Sequence, residues 1–176
     1  MIDLAYLLET SALSAYLQHN HPHHAIAEAV FSALPRGSAQ FASIVTVAEM
    51  EFGLKQVVAN GAGAQQVAAV AQRVAIVRNY APLPLTHHTA TNYAELKSKV
   101  AQRRQPAVNS QRTNRWIELW QDSNTGSQLG IDENDLWVAA QAKERDFTVI
   151  AGDRDFEIFT SVDPEVRVIY ACPPRP

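Results

Sequence analysis

Five carboxylates stand where predicted elements end or begin: Glu9, Glu49, Asp135, Asp153 and Asp155. Glu9 follows the apolar run Ala5 to Leu8, which reads as a buried strand ending at Glu9. Glu49 closes Thr46-Val47-Ala48-Glu49, which has the form of a capping box and puts Glu49 in the first turn of a helix. Asp135 belongs to Asp132-Glu133-Asn134-Asp135, which opens a later helix. Asp153 and Asp155 follow the apolar stretch Thr148 to Ala151. In open α/β sheets, strand C-termini and the helix N-termini beyond them share an edge where ligands bind. Carboxylates that converge there repel one another, and burial raises their proton affinity. A divalent cation removes the conflict. Mg²⁺ prefers oxygen ligands, keeps several waters and needs few protein carboxylates. One or two such ions can activate a water and stabilise the leaving oxygen in phosphodiester cleavage.

Each acid also has a plainer reading. Helix N-termini favour acids in any protein. Glu49 could close a box with Thr46, and Asp135 could do the same with Asp132. Asp155 could cap the short turn Phe156 to Phe159, and Glu9 could be an ordinary residue at a strand end.

The elements that must position these residues read as alternating strands and helices. Pro22 suits a helix first turn, and Ile26, Val30 and Leu34 recur at helical spacing up to Pro35-Arg36-Gly37. Gln40 to Val45 reads as a second strand. Val47, Met50, Leu54 and Val57 share a helical face that stops at Asn60-Gly61-Ala62-Gly63. Val67, Val70, Val74 and Val77 mark another helix, ending near Tyr80. Ala81 to Leu85 is a turn or short extended piece, and Thr86 starts a helix to about Arg104. Residues 105–130 are polar, with Trp116, Ile117 and Trp120 in their middle, and read as a loop or insertion around a short helix. A helix from Asp132 to about Arg145, the strand Thr148 to Ala151 and a last strand Val166 to Tyr170 complete the chain. The pattern predicts an α/β fold in one domain over residues 1–176, with crossover helices and no internal repeat.

Composition bounds the function. The 176 residues are 47% hydrophobic and 19% charged, as in a globular protein with a sizeable core. A net charge of −3 argues against holding nucleic acid by general charge neutralisation, but not against an enzyme that meets it at a small metal-filled site. Cys172 is the single cysteine, so an internal disulfide and a cysteine-based zinc site are excluded. No apolar run is long enough to span a membrane, and Met1-Ile2-Asp3-Leu4 lacks the basic region of a secretory signal. A cytoplasmic protein is expected.

Four segments resemble the PIN-domain ribonucleases, particularly VapC-type toxins of type II toxin–antitoxin systems. They are Tyr6-Leu7-Leu8-Glu9-Thr10-Ser11-Ala12-Leu13, Thr46-Val47-Ala48-Glu49-Met50-Glu51-Phe52-Gly53, Asn134-Asp135-Leu136-Trp137-Val138-Ala139-Ala140, and Val149-Ile150-Ala151-Gly152-Asp153-Arg154-Asp155-Phe156. They occur in family order across nearly the whole chain. The resemblance implies a PIN-like fold, a central and mostly parallel sheet flanked by helices. It implies Mg²⁺ or Mn²⁺ held by Glu9, Glu49, Asp135 and Asp153, and endonucleolytic RNA cleavage by a metal-activated water. Ser11, Thr46 and Asp155 match supporting positions. It further implies a homodimer silenced by a small antitoxin. Two residues depart from the family pattern: Glu9 stands where the first acid is normally Asp, and Ala151 where Thr is frequent. Residues 105–130 also form a longer connection than usual.

Other residues weigh less. His19, His21, His23 and His24 surround Pro22 and read as a solvated loop, because metal ligands need a converging third group. His87 and His88 start a helix and have no assigned role. Lys97, Lys99, Arg103, Arg104, Arg112 and Arg115, followed by Trp116 and Trp120, read first as a solvated face and a packing stripe; RNA contact or antitoxin docking is the alternative. Two other functions remain open: a PIN nuclease of RNA processing without a toxin role, and a PIN-fold binding or scaffold module weakened in catalysis.

Overall fold

The computed structural model describes residues 4–103 and 116–174. Five strands form one sheet: β1 (Ala5–Leu8), β2 (Ala39–Ser43), β3 (Ala81–Leu83), β4 (Thr148–Ala151) and β5 (Arg167–Tyr170). Among the described residues seven helices connect them: α1 (Thr10–Leu17), α2 (His24–Ala33), α3 (Ile44–Ala59), α4 (Ala64–Asn79), α5 (His87–Ala101), α6 (Glu133–Glu144) and α7 (Glu157–Val162). The order is β3-β2-β1-β4-β5, with every pairing parallel. The α/β expectation holds, and the sheet is wholly parallel.

Alternation along the strands builds two cores. In β1, Leu7 faces one side while Tyr6 and Leu8 face the other; in β4, Val149 and Ala151 lie with Leu7, and Ile150 with Leu8. The register pairs Leu7 with Val149 and Leu8 with Ile150, so each core runs continuously across the centre of the sheet. Helices α5, α6 and α7 cover the first face through Leu96, Leu136, Ala139 and Phe159. Helices α1 to α4 cover the second through Leu13, Phe31, Met50 and Val77. Fully burying side chains such as Leu7 and Leu136 contributes roughly 1.5–3 kcal/mol each.

Chain direction reverses at β1. From β1 the chain moves outward through β2 to β3, then returns past β1 to β4. The crevice beyond the C-terminal ends of β1 and β4 is therefore the topological switch point.

Local differences from the sequence reading have physical causes. Strand β1 ends at Leu8, and Glu9 caps a helix, α1, that the sequence reading did not include. The Thr46 capping box does not form. Ser43 is the N-cap of α3 and its side chain accepts from Val45 N–H, so Thr46 and Glu49 lie within the helix rather than at its start. Pro22 lies in the turn before α2, whose cap is His23. Phe156, not Asp155, takes the cap position of α7. Thr86 does cap α5, in a reciprocal box with Thr89. Helix α5 ends at Ala101, with Gln102 as its C-cap and Arg103 in the turn beyond, so it stops short of the expected Arg104; Arg104, Arg112 and Arg115 lie outside the described residues. Within 116–130 the short helix is a single 3-10 turn, Ile117–Leu119. Trp120 packs in the core, whereas Trp116 is exposed, so the two do not make one packing stripe. Among the described residues no helix is long and apolar enough to cross a membrane.

Candidate functional site

Glu9 sits at the end of β1, where the chain turns sharply into α1. Its carboxylate folds back over the helix start and accepts from Ser11 N–H at 2.6 Å and Ala12 N–H at 3.2 Å. It also accepts from Gly152 N–H, across the crevice, at 3.2 Å. A helix N-terminus leaves N–H groups unsatisfied, and a carboxylate there is favoured by the aligned peptide dipoles. Glu9 is nevertheless buried. Burial, and then the Asp153 carboxylate, push its carboxyl up to about 7, against the hydrogen bonds from Ser11 and Gly152 that pull it down.

Asp153 lies two residues beyond β4. Ser11 Oγ reaches it at 2.8 Å and also makes a short contact to Glu9 Oε2. A serine hydroxyl carries one proton. It can donate to one of these carboxyl groups at a time, and the second contact needs a proton on the carboxyl side. The raised proton affinity of Glu9 supplies that proton near neutrality. Asp153 also accepts from Asp155 N–H at 3.0 Å, which fixes the turn after β4.

Glu49 is carried in by α3. Thr46, buried one turn earlier, donates its hydroxyl to the last carbonyl of β1, Leu8 O, at 3.2 Å and so pins α3 against the strand end. The Glu49 carboxylate is then held from both sides, by Thr10 Oγ1 at 2.5 Å and Asn134 Nδ2 at 2.9 Å. These two residues link α1, α3 and α6. Both were inside the quoted segments, but neither was singled out, because a hydroxyl and an amide beside acids carry no distinctive spacing signal.

Asp135 occupies the first turn of α6, which Asp132 caps by accepting from Asn134 N–H. Burial first, then the carboxylates of Glu9, Asp153, Asp132 and Glu49, push its carboxyl up to about 9. Acids from the four predicted segments thus act on one another at the switch-point crevice. Asp155 stands nearby, its Oδ1 3.8 Å from where a Cβ on Gly130 would lie.

This donor set suits some cations better than others. Among the described residues, no group of three or more His, Cys, Asp or Glu side chains stands placed to hold a metal ion as the side chains are oriented here. Glu9, Glu49 and Asp153 all accept from N–H or O–H donors, and carboxylate oxygens keep further lone pairs. With Asp135 they form a group of carboxylates with negative charge in excess. That fits a hard dication that keeps most of its waters, and not a tightly enclosed tetrahedral ion.

Gly152 was also missed. A Cβ there would lie 2.3 Å from Ala12 N and 2.3 Å from the Ser11 carbonyl carbon, so only glycine lets β4 approach the first turn of α1. The described members of the basic stretch are engaged in structure: Lys97 pairs with Glu133, Lys99 with Glu95 and Asp163, and Arg103 donates to Ser161. Beside the acids lies an apolar groove of about 500 Å³ lined by Ile44, Phe52, Leu85 and Trp137.

A family model for the PIN domain matches residues 6–160. No curated protein sequence matches the chain. Several solved structures are similar in fold. VapBC2 from Rickettsia felis, bound to a DNA fragment from their promoter, is 14% identical with a TM-score of 0.62, covering 95% of this chain and 98% of that chain. FitAcB from Neisseria gonorrhoeae is 20% identical with a TM-score of 0.61, over 94% of this chain and 97% of that one. VapBC-5 from Mycobacterium tuberculosis, a member of the VapBC family of toxin–antitoxin systems, is 22% identical with a TM-score of 0.53, over 94% and 96%.

Proposed function

The chain belongs to the PIN-domain family, and from that premise we propose that it is a Mg²⁺- or Mn²⁺-dependent endoribonuclease, the toxin of a toxin–antitoxin pair. Nuclease activity and divalent metals are typical of the family. The observation that carries the reading for this chain is Asp135, whose carboxyl is pushed up to about 9 by burial and by four neighbouring carboxylates. Such a site is poorly matched to water and protons alone, and well matched to a dication.

In this reading Glu9, Glu49, Asp135 and Asp153 would hold the cation. When bound, the ion supplies an activated water and stabilises the leaving oxygen. The chain's own groups do the positioning. Thr10 and Asn134 fix the Glu49 carboxylate, Thr46 fixes the helix that carries it, and Ser11 fixes Asp153. Asp155 supports the turn behind Asp153. An antitoxin partner, supported by the toxin–antitoxin complexes among the structural neighbours, belongs to the same proposal, as does a homodimer.

A second reading is favoured by one observation. Because Glu9 directs its carboxylate at N–H donors, the chain could be a PIN-fold binding module in which cleavage is weak or lost. Cleavage of total cellular RNA with Mg²⁺, with and without chelator, decides between them. Cleavage that vanishes with chelator and with Asp135→Asn supports the enzyme; intact RNA under all conditions supports the binding module. Growth arrest on expression, relieved by the product of a small adjacent gene, separates a toxin from an RNA-processing nuclease.

A further inference from the structure

Glu49 and Asn134 belong to two places at once. Their side chains meet at 2.9 Å beside the acids, and both also line the apolar groove of about 500 Å³ that opens next to them. One helical turn beyond Glu49 on α3 stands Phe52, and one turn beyond Asn134 on α6 stands Trp137. Both rings border the groove, together with Ile44 and Leu85. Phe52 is 61% exposed, Ile44 43% and Leu85 38%. Single exposed apolar side chains are ordinary, but a contiguous patch beside a polar site marks a surface that a ligand covers.

We propose that this groove seats one base of the RNA, that of a nucleotide adjoining the scissile phosphate, between Phe52 and Trp137, and that it favours purines. The inference rests on the nuclease reading, which puts the phosphate at the acids. The groove touches the acid set through Glu49, so a base in it and a phosphate beside the acids are joined within one nucleotide. Its volume lies within the roughly 300–1,000 Å³ of small-ligand pockets. Charge selects the part of the nucleotide. Among the described residues that line the groove there is no lysine or arginine, so it offers nothing to a phosphate. An uncharged planar ring suits its walls, and base–aromatic stacking needs no hydrogen-bond readout.

Much of the groove is set in advance. Trp137 stacks on Tyr93, with ring centroids 3.9 Å apart and planes within 16°, and the Tyr93 hydroxyl accepts from Lys97 Nζ at 2.6 Å. Leu85 follows two carbonyls, Leu83 O and Pro84 O, which both accept from the buried Gln141 Nε2 at 3.0 Å. Walls that are already ordered lose little freedom on binding. The Asn134 amide and the Glu49 carboxylate are engaged with each other, so the groove discriminates by ring area rather than by a donor–acceptor pattern. A purine has the larger face and removes more apolar surface from water.

The probe is a labelled single-stranded RNA of random sequence, offered to the full chain in Mg²⁺. Initial rates and sequenced cut ends are read on the parent; binding is read by fluorescence anisotropy on Asp135→Asn, so that cleavage does not intervene. The cut ends should show a purine at one position flanking the cut. Phe52→Ser should erase that preference, raise KM about tenfold and leave kcat nearly unchanged. Placed in Asp135→Asn, it should weaken RNA binding by a similar factor. Phe52→Tyr should restore all three. Phe52 is exposed, so the urea midpoint of Phe52→Ser should match the parent; should it fall, Phe52→Leu keeps the apolar bulk without the ring and carries the test. RNA binding that ignores Phe52, or cleavage with KM and cut-end bases unchanged in Phe52→Ser, overturns the base site. If that variant also escapes silencing by the product of the adjacent gene, the groove belongs to a protein partner instead. A parent that cuts nothing while RNA binding still depends on Phe52 removes the nuclease reading and leaves the base site standing.

Discussion

Gly152 and Glu9 meet across the crevice between β4 and β1. The Gly152 N–H donates to Glu9 Oε2 at 3.2 Å, and the same close approach leaves no room for a side chain on residue 152. A methyl there would meet backbone atoms of Ser11 and Ala12, which cannot rotate away. Gly152→Ala should therefore destabilise the protein by about 1–3 kcal/mol, the usual range for overpacking, and toward the upper end because backbone must shift. Urea unfolding measures this. A midpoint within error of the parent would mean that β4 and α1 are not so closely apposed.

The raised proton affinities of Glu9 and Asp135 set a second expectation. Their folded-state values, about 7 and about 9, lie above those of an unfolded chain. The folded protein then holds protons that the unfolded chain has already released. Stability from this source is full below the ordinary carboxylate range and falls as pH rises through about 7 and then about 9. In chelator, melting temperature should decline across that window. Millimolar Mg²⁺ should flatten the decline, since an ion that binds only the folded state stabilises it by mass action. Asp135→Asn should remove the upper part of the decline. A melting temperature independent of pH in chelator would contradict the clustering of the acids.

Much of this arrangement was legible in the sequence, and the failures share a cause. Strands β1 and β4 were visible because central parallel strands are apolar runs, β2 and the edge strand β5 because they are short and β-prone, and α6 because Asp132 is a standard cap before a helical pattern. Helix α1 was invisible because its cap is Glu9, and glutamate is not among the usual N-cap residues. The same residue type hid its second role: a strand-end acid was expected at the crevice, and it also accepts from the N–H groups at the start of α1. The Thr46 box was misread because Ser43, three residues earlier, competes for the cap and wins where β2 ends. Gly152 and Asn134 act through close approach and through a contact 85 residues away, which no local pattern records.

Far from the acids, Asp163 sits almost wholly buried after α7, between Lys143 Nζ and Lys99 Nζ at 2.8 Å each. Burial pushes its carboxyl up, but the hydrogen bonds from Lys143, Lys99 and Glu165 N–H overcome this and hold it at about 2. Its contribution to stability is present above the ordinary Asp range and lost as pH falls toward 2. Asp163→Asn would leave the Lys143 side chain, only 6% exposed, with its remaining partners Glu95 and Glu165. The cost should be about 3 kcal/mol, the low end for breaking a buried pair, because those partners remain. RNA cleavage by the folded variant should be unchanged. A variant that keeps full stability would mean that the cluster is solvated.

Glu9 is the residue on which function turns. Its extra methylene relative to Asp lets the carboxylate curl over the start of α1 and reach Gly152 N–H as well. An aspartate is itself a preferred N-cap and would keep a helix-start hydrogen bond, but its shorter reach would release Gly152. It would also hold the carboxylate closer to the strand, where the cation would be bound. Mg²⁺ tolerates little error in its octahedron, with ligands at about 2.0–2.1 Å, and misplacing a reacting group by about 1 Å can lower a rate on the order of a hundredfold. Glu9→Asp is therefore expected to raise Mg²⁺-dependent RNA cleavage, up to about a hundredfold, with little change in stability. Glu9→Ala should lose the cap and about 1 kcal/mol. Initial rates on one RNA, beside urea midpoints, separate the two effects. If Glu9→Asp gains nothing while Glu9→Ala is inactive, the site is adapted to glutamate. If both variants cut RNA as the parent does, Glu9 is only the cap of α1, and the carboxylate set that matters is Glu49, Asp135 and Asp153.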